Sequence, residues 1–151
     1  MLELINKNLV PVLEKREFDA FAHGCNCFCT MGAGIAAHVK RIFPEAYALD
    51  RKTKKGDQKK LGTIGICEIG DNKILINAYT QFDFWKPGRR ADYKAIEKCF
   101  DLIGAEMLSR GLVHLVIPKI GAGLAGGDWN VIEDIILERM PKEIDISVYY
   151  L

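Results

Sequence analysis

Twice in this chain an apolar strand runs into a glycine-rich turn and then into a helix, the outline of a phosphate-binding loop. The first instance is Ala22-His23-Gly24-Cys25-Asn26-Cys27-Phe28-Cys29-Thr30-Met31-Gly32-Ala33-Gly34-Ile35-Ala36. Ahead of it, residues 18–22 read as a short buried strand, and after it Ile35, Val39, Ile42 and Phe43 recur at helical spacing. The second instance, Ile120-Gly121-Ala122-Gly123-Leu124-Ala125-Gly126-Gly127-Asp128-Trp129, follows the apolar Leu115-Val116-Ile117. At such a junction the first N–H groups of the helix lack partners and point outward with the positive end of the dipole, so a phosphate can dock there. Glycines at these turns also serve packing alone, and either loop by itself leaves both readings open. The spacing is not a dinucleotide fingerprint, because its third glycine falls at Ala37 and no acidic residue follows at the required strand end. Nor is it a Walker loop, since no Gly-Lys-Ser/Thr closes it. Two such loops at parallel strand ends clamp a diphosphate from both sides.

The remaining segments supply a sheet and its helices. Leu2–Ile5 reads as a strand leading into the turn Asn6-Lys7-Asn8-Leu9, and a helix is expected over 45–52. Residues 63–69 and 73–80 read as a hairpin about Gly70-Asp71-Asn72. Asp92 caps a helix marked by Tyr93, Ile96, Phe100, Ile103 and Met107 and stopped by Gly111. Asp128 caps the last helix, with Trp129, Ile132, Ile136 and Met140 as its stripe, and a strand over 144–151 closes the chain. Strands alternating with helices, plus one hairpin, predict an α/β fold of three layers, α/β/α, with a central mixed sheet. The length, 151 residues with 49% apolar, suits one domain over 1–151.

With 21 basic and 20 acidic residues, overall charge argues for no nucleic-acid or membrane partner. The basic run Arg51-Lys52-Thr53-Lys54-Lys55-Gly56-Asp57-Gln58-Lys59-Lys60 reads either as a solvated loop or as a nucleic-acid surface, and it has no interleaved aromatic residue for base stacking. No apolar segment approaches a membrane span, and a cytoplasmic protein is expected. Cys25, Cys27 and Cys29 alternate along one stretch, which makes a poor closed tetrahedral site; reduced thiols are expected, and no metal or cofactor. The loop Phe82-Asp83-Phe84-Trp85-Lys86-Pro87-Gly88 carries three aromatics, some of which are expected to wall a ligand cleft.

Taken together, Cys25-Asn26-Cys27 with Met31-Gly32-Ala33-Gly34-Ile35-Ala36, and Pro118-Lys119-Ile120-Gly121-Ala122-Gly123-Leu124, resemble the two loops of the macrodomain family. The resemblance covers nearly the whole chain. It implies a macrodomain fold and ADP-ribose binding, with Asn8 at the adenine amino group, Leu9 beside it, Asn26 at the distal ribose hydroxyls, Thr80 at a strand end by the cleft, and the two loops on the diphosphate. Within the family the chain looks closest to a branch of small stand-alone domains containing ADP-ribose 1''-phosphate phosphatases and some ADP-ribosyl glycohydrolases. The His23-Gly24-Cys25-Asn26-Cys27 opening is similar to the phosphatases, and Gly123–Trp129 to the glycohydrolases. The catalytic lysine and acid that the glycohydrolase resemblance implies fall at Gln81 and Ala125, which serve neither purpose. Hydrolysis of ADP-ribose 1''-phosphate is therefore the first expected activity, with His23 managing the proton and Asp83 as a second candidate. ADP-ribosylated protein or nucleic acid as substrate, and a binding module without catalysis, are the rival expectations.

Overall fold

The computed structural model describes residues 1–151. Six strands, β1 (Leu2–Asn6), β2 (Ala20–Cys25), β3 (Ile64–Glu68), β4 (Ile74–Tyr79), β5 (His114–Pro118) and β6 (Asp145–Tyr150), form one sheet in the order β1-β6-β5-β2-β4-β3. Every neighbouring pair is parallel except β3 with β4, the hairpin at one edge. Five helices cover it: α1 (Val10–Lys15), α2 (Gly34–Ile42), α3 (Pro44–Arg51), α4 (Tyr93–Arg110) and α5 (Trp129–Arg139).

The layering follows from the twofold alternation of strand side chains. In β4, buried along its whole length, Leu75 joins Phe21 of β2 and Val116 of β5 beneath α1, α2 and α3, where Leu13, Val39, Phe43 and Ala46 pack. Ile74 and Ile76 point the other way, onto Ile96, Phe100 and Ile103 of α4 and Ile132 and Ile136 of α5. The result is the expected three-layer arrangement with a mixed sheet. The end signals hold as well. Asp92 accepts from Ala95 N at 3.0 Å, Asp128 from Asn130 N at 2.9 Å, and Gly111 ends α4 at φ 69°.

Three local readings need correction. β2 extends through Cys25, so His23 and Gly24 pair with Asn77 and Ala78 of β4 and belong to the sheet rather than to the loop. The turn after β1 continues into α1, whose six residues are too few to display a helical period. Lys60, at the end of the basic run, is buried: its ammonium donates to Thr53 Oγ1 at 2.7 Å and lies 5.1 Å from the Tyr79 ring centroid.

The parallel strands all end on one side of the sheet. Adjacent β5, β2 and β4 therefore send the second glycine loop, the first glycine loop and the aromatic loop to the same edge.

Candidate functional site

The three loops enclose a cleft of about 690 Å³, within the range of about 300–1,000 Å³ of small-molecule sites. Asn26, Met31, Gly32, Ala33, Gly34 and Ile35 line it from the first loop, and Ile120, Gly121, Ala122, Gly123 and Leu124 from the second. Thr80 and Gln81 at the end of β4 complete the wall, with Phe84 beside them. A second hollow of about 510 Å³ holds Asn8 and Leu9. It shares Gly32 to Ile35 and Tyr149 to Leu151 with the main cleft, so the two are lobes of one groove. The carboxyl-terminal residues Tyr149, Tyr150 and Leu151 were not expected in the site. Only the parallel pairing of β6 with β5 brings them there.

The first loop is shaped for close backbone approach. Gly24 passes Thr80 so tightly that a Cβ would stand 2.7 Å from its Oγ1. Asn26 braces the turn, accepting from Phe28 N at 2.8 Å and donating to Thr30 Oγ1 at 2.8 Å. α2 then begins at Gly34, in the left-handed region at φ 59°, behind Ala33, which has no side-chain acceptor to offer. The first N–H groups of α2 are thereby left to the cleft, together with the positive end of its dipole. Across the cleft, a Cβ on Gly123 would meet nothing within 4 Å, whereas one on Gly127 would stand 2.5 Å from Gly121 O. Gly123 thus faces space, and Gly127 serves packing. The donors on this side are loop amides, since Asp128 already caps α5. Leu124 Cδ1 comes within 3.7 Å of where a Gly34 Cβ would be, so the loops nearly touch over the floor.

Arg90, which the sequence did not single out, also lines the cleft. Its guanidinium donates to Lys86 O at 3.0 Å and to Leu124 O, tying the aromatic loop to the second glycine loop. Asp50 of α3 is a second unexpected member. It is 1% exposed; its Oδ1 accepts from Tyr79 OH at 2.7 Å, and its buried Oδ2 has no partner. Burial raises its carboxyl above the ordinary value, against the Tyr79 bond and the charge of Lys60. The sequence predicts its helix but no role for Asp50; the bond from Tyr79 OH ties it inward across layers.

The two catalytic candidates lie elsewhere. His23 is 0% exposed under Phe21, and its Nε2 is 2.7 Å from Asn77 Oδ1. Asn77 Nδ2 donates to Ala46 O at 2.9 Å, so Oδ1 is the acceptor and His23 Nε2 carries the proton. Burial lowers the imidazole to about 4, the Asn77 bond acting the other way. His23 is a core residue that ties β2 through β4 to α3, and it lines neither lobe. Asp83 is also buried; its carboxylate receives Lys86 N at 3.4 Å and pairs with Lys86 Nζ at 3.7 Å, which holds the aromatic loop in shape. Asn8 lines the second lobe, and its Oδ1 caps Val10 N at 3.0 Å. No group of three or more His, Cys, Asp or Glu is arranged to hold a metal, and all five cysteines are free thiols. Burial raises Cys27 to about 11 and holds Cys25 well above its ordinary value.

The profile of the Macro domain family matches residues 22–136, which contain both glycine loops. An uncharacterised 17.5 kDa protein from the tk-vs intergenic region of enterobacteria phage T4 is 36% identical over 134 residues, spanning 84% of this chain and 83% of that one. A DNA ADP-ribosyl glycohydrolase of Mycobacterium tuberculosis is 26% identical over 142 residues, spanning 91% of this chain but 40% of that protein. Among solved structures, Thermosipho africanus DarTG in complex with ADP-ribose superposes with a TM-score of 0.77 at 20% identity, over 98% of this chain and 41% of that one.

Proposed function

Because the chain belongs to the Macro domain family, we propose that it binds ADP-ribose and hydrolyses the bond that joins the distal ribose to its substituent. Adenine occupies the lobe beside Asn8 and Leu9, the diphosphate lies between the loops, and the distal ribose sits by Asn26 and Thr80. The observation that carries this reading is the pair of donor arrays facing each other across one groove: the uncapped start of α2 and the open amides about Gly123. Fixed backbone dipoles of this kind bind an anion with little reorganisation.

Hydrolysis needs a proton for the departing group and a hydroxyl from water. His23 is sealed beneath the sheet and supplies neither. Gln81 and Ala125 stand where family resemblance places a lysine and an acid; here Gln81 Nε2 braces Asp83 O at 2.7 Å and Ala125 O receives Arg90 N at 2.7 Å. Asp50 is the side-chain carboxyl group among the residues lining the main cleft. Burial raises the Asp50 carboxyl above its ordinary value, the direction that favours giving a proton to a leaving oxygen, and its Oδ2 has no other partner.

Calorimetry tests the binding half. ADP-ribose should bind one to one and AMP far more weakly, because AMP lacks the diphosphate and distal ribose; equal affinities, or no heat with either, remove the reading. Product analysis tests the other half, by phosphate release from ADP-ribose 1''-phosphate and ADP-ribose release from modified protein and modified nucleic acid. Asp50→Asn keeps the Tyr79 bond but cannot ionise. It should lower turnover at least tenfold, the about 10²–10⁴ of acid–base assistance being discounted for substitution by water, and leave ADP-ribose affinity within a factor of about two. Binding without any product reduces the domain to an ADP-ribose reader.

A further inference from the structure

The basic run 51–60 has no aromatic of its own, but the fold brings aromatics to it from two other segments. Phe28 of the first loop stands with its ring carbon 3.1 Å from where a Gly56 Cβ would be, and Gly56 N donates to Cys27 O at 2.7 Å. The Trp85 ring lies 4.8 Å from Phe28, edge to face, and Phe84 lies 5.3 Å from Trp85 in the same manner. Phe84 lines the cleft. A continuous rim therefore leads from the distal-ribose end of the cleft over Phe84, Trp85 and Phe28 to Lys54 and Lys55. Trp85 is 55% exposed and Phe84 48%, so two adjoining aromatic rings face solvent.

Cations frame these rings on both sides. Lys54 and Lys55 are exposed and lack ion pairs, and Arg89 is exposed beyond Gly88 with its guanidinium 4.0 Å from the Tyr93 ring centroid. Lys86 is the one rim cation with a carboxylate partner, Asp83. The acids nearby are committed: Asp83 is buried, and Asp57 accepts from Lys59 N at 2.9 Å. Exposed aromatic faces flanked by unpaired lysines match a chain of bases joined by phosphates, in which bases stack and phosphates meet the ammonium groups. An acidic polypeptide would use the lysines and leave the ring faces wet.

We propose that this rim holds a single nucleic-acid strand, so that the substrate of the cleft is ADP-ribose attached to a strand whose neighbouring bases lie on Trp85 and Phe84. The proposal rests on the placement of the distal ribose given above. A strand leaving the Asn26 and Thr80 end of the cleft crosses the rim directly, and a duplex cannot present unstacked bases to it.

The test uses an unmodified, fluorescently labelled single-stranded 12-mer and anisotropy with the intact chain. Binding should be micromolar at about 50 mM salt. If Lys54, Lys55 and Arg89 each neutralise one phosphate, it should weaken about twentyfold by about 200 mM. The same sequence as a duplex should bind more weakly, and the strand should quench tryptophan emission in wild type but not in Trp85→Ala. Trp85→Ala and the double variant Lys54→Glu/Lys55→Glu should each lower strand affinity at least fivefold, with calorimetric affinity for ADP-ribose unchanged. No strand binding, equal binding by duplex and strand, wild-type affinity in both variants, or equal displacement of the strand by a polyglutamate peptide of matched charge each overturns the proposal. Strand binding without ADP-ribose binding would instead overturn the reading of the cleft.

Discussion

His23 shows how far a single residue departs from what its type suggests. Its imidazole ordinarily titrates near 6.5, but burial holds it neutral down to about 4 in the folded chain. The unfolded chain therefore binds one more proton than the folded chain between those values. Stability due to this group is fully present above pH 6.5 and is lost as pH falls towards 4, by about 3 kcal/mol in all. Urea denaturation across that range should show wild type losing stability more steeply than His23→Gln, which has no proton to take up. A parallel pH dependence in the two proteins would show that His23 is not buried as described. At pH 7, His23→Ala should cost about 3 kcal/mol, since it opens a cavity and orphans Asn77 Oδ1, while ADP-ribose affinity of the folded fraction stays within twofold. That outcome also separates a core histidine from a catalytic one, whose loss would lower turnover without lowering stability.

At the scale of elements, the two glycine loops invite opposite tests of the same glycine-rich composition. Gly123 faces open space, so Gly123→Glu should leave the far-ultraviolet dichroism intact and weaken ADP-ribose at least a hundredfold by setting a carboxylate against the diphosphate. Unchanged affinity would show that the second loop does not meet phosphate. This contrast was not legible in Gly-Ala-Gly-Leu-Ala-Gly-Gly, because which glycine packs and which faces the ligand depends on Ile96, Ile132 and Gly121 O, all supplied by tertiary structure. What was legible had local causes: the Asp92 and Asp128 caps, the Gly111 stop, the hairpin turn and the strand-turn-helix outline of both loops. Asp50, Arg90 and Tyr149 to Leu151 were not, since each reaches the cleft through a partner remote in sequence. The basic run illustrates the same limit, for its aromatics come from Phe28 and from the loop after β4.

For the molecule as a whole, a ligand that binds only the folded chain stabilises it by mass action. At a hundredfold excess over its Kd, ADP-ribose should contribute about 2.7 kcal/mol and raise the thermal midpoint by about 5–10 °C for a domain of this size. AMP at the same concentration should raise it far less, and equal shifts would mean that the distal half of the ligand finds no site. No helix of the chain is long and apolar enough to cross a membrane. Arg90 gives the cleft a property that its other lining residues do not supply. By gripping Lys86 O and Leu124 O together, it makes the wall that carries Trp85 and the wall that carries Gly123 a single mechanical body. Any factor by which an occupant of the outer face of that body changes affinity on the inner face must, by linkage, be returned in equal measure in the other direction.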